Sequence, residues 1–143
     1  ATMKSVLSFI EMPTHKVIEF HDITPQVKSA VQRSKVRDGI AVVFTRHTTC
    51  CIKINEHEEK LVQDFYNFLE KRVPQFEKYG HDIDPVDGRK NAHSHLKSLI
   101  LNTSETIPLQ KGELLLGTWQ RIFFVELDGP REKRTVIVQV LGE

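Results

Sequence analysis

His47 to Glu56, read HTTCCIKINE, places an imidazole, two hydroxyls, two thiols, an amide and a carboxylate in one short stretch. Histidine is the commonest metal ligand and the usual proton carrier at neutral pH, so His47 is a candidate for either role. If the backbone is extended throughout, His47, Thr49, Cys51 and Asn55 share one face, and Cys50, Ile52 and Ile54 share the other. A bulge or turn at Thr48–Thr49 breaks that parity. The plainer reading is a strand-end histidine bonded to a neighbouring carbonyl, with Asn55 capping the next helix.

Two further groups could carry chemistry. Phe76 to Arg89 is the longest irregular stretch and holds His81, Asp82, Asp84 and Asp87, with Asn91 and His95 just beyond. Its oxygens suit Mg²⁺ and its imidazoles suit Zn²⁺, whereas a solvated, turn-forming loop needs no ligand. On a helix started by Asn91, the residues Asn91, His95 and Ser98 share a face, while His93 lies about 200° from His95 around the axis. That makes the HxH spacing a poor chelate. The third group is Gly117-Thr118-Trp119-Gln120 with Glu126, Asp128, Gly129, Pro130, Arg131 and Arg134. Trp119 offers a flat stacking wall and the arginines a phosphate clamp; the alternative is a hairpin with a core Trp and surface ion pairs. Glu126 ends the very apolar run Ile122-Phe123-Phe124-Val125, where a perturbed carboxyl is expected.

The elements that must position these groups follow from periodicity and punctuation. Met3–Glu11 reads as a strand, Pro13-Thr14 as a turn, and Lys16–Phe20 as its hairpin partner. Thr24 as cap with Pro25 opens a helix buried through Val27, Ala30 and Val31, which Asp38-Gly39 ends. Ile40–Phe44 and Cys50–Ile54 read as the central strand pair. Asn55 and Glu58 have the form of a capping box opening a helix buried through Leu61, Phe65, Phe68 and Leu69, which Val73-Pro74 ends. A short helix from Asn91 to about Leu101 is expected to bury Ala92, Leu96, Leu99 and Ile100. Strands over Thr106–Leu109, Glu113–Gly117, Gln120–Leu127 and Thr135–Leu141 complete the pattern. This order indicates an α+β fold with a mostly antiparallel sheet, in one domain spanning 1–143.

Composition narrows the partners. The chain has 143 residues, 39% hydrophobic and 27% charged, with a formal charge of +1, so no net field recommends nucleic acid or an anionic membrane. No apolar run approaches the roughly 20 residues of a membrane span, and no secretory signal is recognised. Cys50 and Cys51 are adjacent and read as buried thiols in a reducing cytosol, so a cytoplasmic protein is expected.

Taken together, the segments resemble the YjbQ-like, or UPF0047, family, also called the secondary thiamine-phosphate synthase family. HTTCCIKINE is similar to its HTS-A-x-L-x-x-N-E motif. Tyr79-Gly80-His81-Asp82 and Ser94-His95-Leu96-Lys97 resemble its YxHD and P-A-H-I-K segments, and Gly117–Gln120 with Glu126 and Arg131 its GTWQ signature. The sequence departs at Cys50, where a small residue is usual, and at His93, where some members have Pro. The resemblance implies a two-sheet α+β sandwich with about three helices, a homotrimer, and joining of a hydroxymethylpyrimidine diphosphate to a thiazole phosphate with release of diphosphate. It implies His47, His95, Glu126, Asn55 and Glu56 as catalytic groups, and His47, His81, His95 and Asp82 as ligands of a divalent metal, Zn or Mg. Arg131, Arg134, Lys97, Thr48 and Trp119 are the candidates for holding a phosphorylated substrate. There is no glycine-rich phosphate loop. A histidine-rich site also fits a metal-dependent hydrolase, and the other readings are a non-catalytic metal- or metabolite-binding trimer and histidines that only staple subunits together.

Overall fold

The computed structural model describes residues 2–143. In chain order the elements are β1 (Lys4–Thr14), β2 (Glu19–Asp22), α1 (Thr24–Ser34), β3 (Gly39–Phe44), β4 (Cys50–Asn55), α2 (Glu59–Arg72), α3 (Ala92–Ser98), β5 (Ser104–Gln110), β6 (Glu113–Leu114), β7 (Arg121–Glu126) and β8 (Arg131–Gly142). The strands form a five-stranded sheet, β1-β8-β3-β5-β6, and a three-stranded sheet, β2-β7-β4. Every pairing is antiparallel. The α+β two-sheet architecture with three α-helices is therefore as the resemblance implies, but neither expected strand pair forms: β1 and β2 lie in different sheets, as do β3 and β4, and Pro13-Thr14 belongs to β1 instead of turning the chain.

The run Ile122–Val125 is apolar at every position because both faces of β7 are covered. Ile122 and Phe124 join Cys50 and Ile52 against Ala41, Val43, Ile107, Val136, Val138 and Val140 in the core between the sheets, with Val27, Ala30 and Val31 of α1. Phe123 and Val125 point the other way and pack with Cys51 and Leu69 under α2, with Phe20, Phe65 and Leu101 at the margin. Burying one such side chain is worth about 1.5–3 kcal/mol, so β7 is the element both cores share.

Several expectations are corrected. Helix α2 begins at Glu59, capped by the Glu58 carboxylate on Lys60 N–H, not by Asn55. Asn55 is the last rung of β4, opposite Arg121, and its Oδ1 accepts from the N–H of Glu56 at 2.8 Å. Thr24 does open α1, but its hydroxyl accepts from Ile122 N–H on β7 at 2.8 Å instead of capping. Of the α2 face, Leu69 is buried while Phe68 is 49% exposed. Only Glu113–Leu114 of the expected 113–117 strand pairs, and β8 is longer than expected.

Helix α3 is turned relative to the apolar reading. Its buried residues are Ala92, His93, Ser94 and Lys97, whereas Leu96 and Ile100 are exposed and Leu99 is 79% exposed. Polar groups can take the inner face because they satisfy one another. The Lys97 ammonium donates to Glu70 of α2 and, at 2.6 Å, to His93 Nδ1. His93 Nε2 then donates to Ser94 Oγ at 3.3 Å, and Ser94 Oγ donates to the Leu127 carbonyl. Burial, then the Lys97 charge, push the His93 pKa below its ordinary value. A histidine held neutral in this way stabilises the fold above its unfolded pKa of about 6.5, and that contribution is lost as pH falls through the folded value. Thermal midpoints measured from pH 7.5 down to pH 5 should fall more steeply for the wild type than for His93→Gln. Parallel curves would contradict the assignment.

Candidate functional site

One group of site candidates gathers where β7 ends and β8 begins. Glu126 and Arg134 are both buried, at 0% and 3% side-chain exposure, and pair through Arg134 Nε to Oε1 at 2.9 Å and Nη2 to Oε2 at 2.6 Å. Thr14 Oγ1 donates to Oε1 at 2.6 Å, Cys50 Sγ to Oε2 at 3.3 Å, and Arg134 Nη2 also donates to Thr49 Oγ1 at 3.0 Å. Burial alone would raise the Glu126 carboxyl, but the hydrogen bonds from Arg134 and Thr14 hold it below the ordinary range. Burial, with the Glu126 charge beside it, pushes the Cys50 thiol up, and burial pushes Cys51 up to about 11, so neither free thiol ionises at neutral pH.

The Asp128-Gly129-Pro130 turn follows. Gly129 is required there: a Cβ would stand 2.1 Å from the Lys16 carbonyl oxygen and 3.0 Å from Thr14 Oγ1. Pressed against β1 in this way, the turn aims Asp128 at the long 76–89 loop. Arg89 binds its carboxylate bidentately, Nε at 2.9 Å and Nη2 at 3.0 Å, and Arg131 Nη2 donates to it at 2.8 Å. Asn91 Nδ2 donates to Asp128 Oδ2 at 2.7 Å. Burial works to raise this carboxyl too, and the bonds from Arg89, Asn91 and Arg131 outweigh it.

These bonds fix a tautomer. With its amide nitrogen on Asp128, Asn91 turns Oδ1 toward His81 Nε2, 2.9 Å away. An amide oxygen only accepts, so His81 Nε2 carries the proton and, in the neutral ring, Nδ1 keeps a lone pair. Asn91 therefore does not cap α3, as expected of it; the Asp82 carboxylate does so instead, accepting from Ala92 N–H at 3.0 Å. The ring of His95 stands edge-on to His81 with centroids 5.1 Å apart. Together they line an open cleft of about 430 Å³ with Tyr79, Gly80, Ala92 and Leu96.

His47 lies in the loop between β3 and β4, so the parity of an unbroken strand stops at Thr49. The β3–β8 ladder ends at Phe44–Ile137, and the N–H of Thr135 beyond it donates to His47 Nε2 at 3.2 Å. Burial, followed by the Arg134 charge, lowers the His47 pKa, so the ring is neutral at pH 7. With Nε2 accepting, Nδ1 bears the proton: His47 is arranged as a donor.

The remaining candidates divide. Arg131 belongs to the Asp128 network, Asp82 caps α3 through Ala92 N–H, and Thr48 is exposed in the loop beside His47. Arg134 and Lys97 are buried and committed to Glu126 and Glu70, so within one chain neither offers its charge to a phosphate. Asn55 and Glu56 sit at the opposite end of the β4–β7 ladder from Glu126, about 17 Å away at 3.4 Å per residue. Trp119, 71% exposed, is in the turn before β7 at that far end. That end also holds a carboxylate the sequence reading passed over. Asp22 accepts from Arg121 Nε at 2.7 Å and His57 Nδ1 at 3.0 Å. Burial would raise it, but bonds from Arg121, Thr24 and His57 hold it at about 2.

As to a metal, no three His, Cys, Asp or Glu side chains converge as ligands among the described residues. His81 and His95 are neighbours, but His81 Nε2 and one Asp82 oxygen are already engaged. This donor set falls short of the three protein ligands of a catalytic zinc site. Sequence reasoning also missed Arg89; its only signal was a cation beside an Asp-rich turn.

Comparison with known proteins places the chain. The model of the family described as UPF0047 protein YjbQ-like matches residues 8–143. A UPF0047 protein of Methanothermobacter thermautotrophicus is 44% identical over 135 residues, covering 93% of this chain and 91% of that one. The UPF0047 protein YugU of Bacillus subtilis is 33% identical over 96% of this chain and 100% of its own length. The crystal structure of a YbjQ-like protein of unknown function from Sulfolobus solfataricus superposes with a TM-score of 0.94 at 37% identity, over 99% of this chain and 100% of that one.

Proposed function

The chain belongs to the YjbQ-like UPF0047 family, and on that basis we propose that it is an acid–base enzyme acting on a phosphorylated small molecule. The observation that carries the reading is the chain of bonds from Asp128 through Asn91 to His81, which ends in a free imidazole nitrogen beside His95 at an open cleft. A buried carboxylate that fixes the tautomer of an exposed histidine through an intervening side chain is what a general base requires. His47, neutral and accepting from Thr135 N–H at Nε2, keeps Nδ1–H as a hydrogen-bond donor near Arg134 and Glu126, outside the lining of the His81–His95 cleft.

The specific reaction is transfer: the C–O bond of a hydroxymethylpyrimidine diphosphate breaks, its electrons leave with diphosphate, and the thiazole nitrogen lone pair forms the new C–N bond. His95 protonates the departing oxygen, and the His81 Nδ1 lone pair beside it orients His95 as the donor. Because the donor set of one chain does not complete a metal site, no step is assigned to a metal. A second reading, hydrolysis, is favoured by the His81 Nδ1 lone pair, which can take a proton from water, whereas a thiazole nitrogen has none to give.

A homotrimer is part of the proposal. Its support is an exposed face of the five-stranded sheet on which Phe9, Ile137 and Phe44 stand side by side across β1, β8 and β3, with Leu7 and Val42 flanking Gln139 in the next row. Phe9 is 53% and Leu7 52% exposed. Phosphorus NMR of the protein with both substrates, run beside light scattering, tests all of this. Diphosphate released only when both substrates are present supports transfer, and release from the diphosphate alone supports hydrolysis. No turnover of either substrate, or a monomer in solution, would overturn the corresponding part.

A further inference from the structure

A second cavity lies on the far side of the molecule's smaller sheet. Its walls are Phe20, Phe123 and Val125 of that sheet, Phe65 and Leu69 of α2, and Leu101 after α3. Lys53 and Asn55 of β4 stand at its mouth, and it shares no lining residue with the His81–His95 cleft. Its volume is about 230 Å³. The slot opens to the surface, and an apolar cavity of about 150 Å³ takes one benzene ring. The extra space fits a second fused ring.

The walls favour aromatic matter. Phe65 and Phe123 meet edge-on with centroids 6.3 Å apart at 81°, and Phe20 tilts toward Phe65 at 5.7 Å, so ring faces and edges are both presented. The polar feature at the mouth has a sign. Lys53 Nζ donates to the neutral amide oxygen of Asn102 at 3.1 Å, and among the described residues it makes no ion pair with a carboxylate. Strand β4 thus places an ammonium with no carboxylate partner among the residues that line an apolar slot. We infer that this cavity is a binding site for a fused-ring aromatic acid, its rings among Phe20, Phe65 and Phe123 and its anionic group on Lys53.

The probe is 2-naphthoate, with 2-naphthylmethanol as a neutral ligand of nearly the same shape. In amide NMR titrations the proposal expects saturable shifts at Lys53, Asn55, Phe65 and Phe123, and tighter binding of the acid than the alcohol. Lys53→Met, a half-exposed position that leaves the core intact, should weaken 2-naphthoate roughly tenfold, the size of one charge-assisted hydrogen bond, and leave the alcohol unchanged. Leu101→Trp, which fills the slot, should weaken both. Absence of saturable shifts, shifts confined to the His81–His95 cleft, or indifference to Lys53→Met would overturn the assignment. Ligand-free shifts at Phe68 and Ile100 that grow with protein concentration would overturn it too, by giving the mouth to a second copy of the chain.

Discussion

Arg134→Leu should destabilise the protein by about 3–5 kcal/mol, because it leaves Glu126 buried without its counter-charge. Among the described residues no other cation touches that carboxylate; its other partners are the Thr14 hydroxyl, the Cys50 thiol and two backbone N–H groups. For a chain of this size, the loss corresponds to a fall in melting temperature of roughly 10–17 °C. The double variant Glu126→Leu/Arg134→Leu should lose less than Arg134→Leu alone, since removing both charges also removes the cost of burying them. The pair has a pH signature as well. The Glu126 carboxyl is held below its ordinary value, so its contribution is whole above about pH 4.5 and is lost as pH falls through the folded value. Urea denaturation of the three proteins at pH 7 and pH 4 measures both effects. Additive losses in the double variant would mean that the two side chains are not coupled.

The second large effect is on chemistry. His81→Ala should reduce kcat/KM by about 10²–10⁴, the usual contribution of a positioned acid or base. Asn91→Leu keeps both imidazoles but unties His81 from Asp128 and allows either tautomer, so a loss of about 10² is expected, mostly in kcat. Asn91 touches no substrate in this account; it is a positioning residue. His93→Gln should leave turnover unchanged, since His93 is sealed behind Lys97 and Ser94. Equal losses from His93→Gln and His81→Ala would contradict this division of labour.

Much of this architecture could be read from the chain. The apolar run of β7, the Thr24-Pro25 helix start and the alternation of Cys50, Ile52 and Ile54 depend on local pattern, and each holds in the structure. What failed was α3, where leucines at helical spacing were expected to be inside. There the buried face belongs to His93, Ser94 and Lys97, whose partners Glu70 and Leu127 are remote in sequence. No periodicity reports such partners. The same limit applies to the site. His81 and His95 could be picked out by type and spacing, but Arg89 and the role of Asn91 depend on Asp128, 39 and 37 residues away. Arg134 could not be told from a surface cation until β8 was seen to carry it inward against Glu126.

The central claim is that Asp128, through Asn91, keeps the proton of His81 on Nε2 and leaves Nδ1 free. Nitrogen-15 NMR of the histidine rings, recorded at a pH where His81 is neutral, tests it directly. The account predicts a protonated Nε2 and an unprotonated Nδ1 for His81 in the wild type, with a mixture of both tautomers in Asn91→Leu. A wild-type His81 protonated on Nδ1, or a spectrum unchanged by Asn91→Leu, would contradict it.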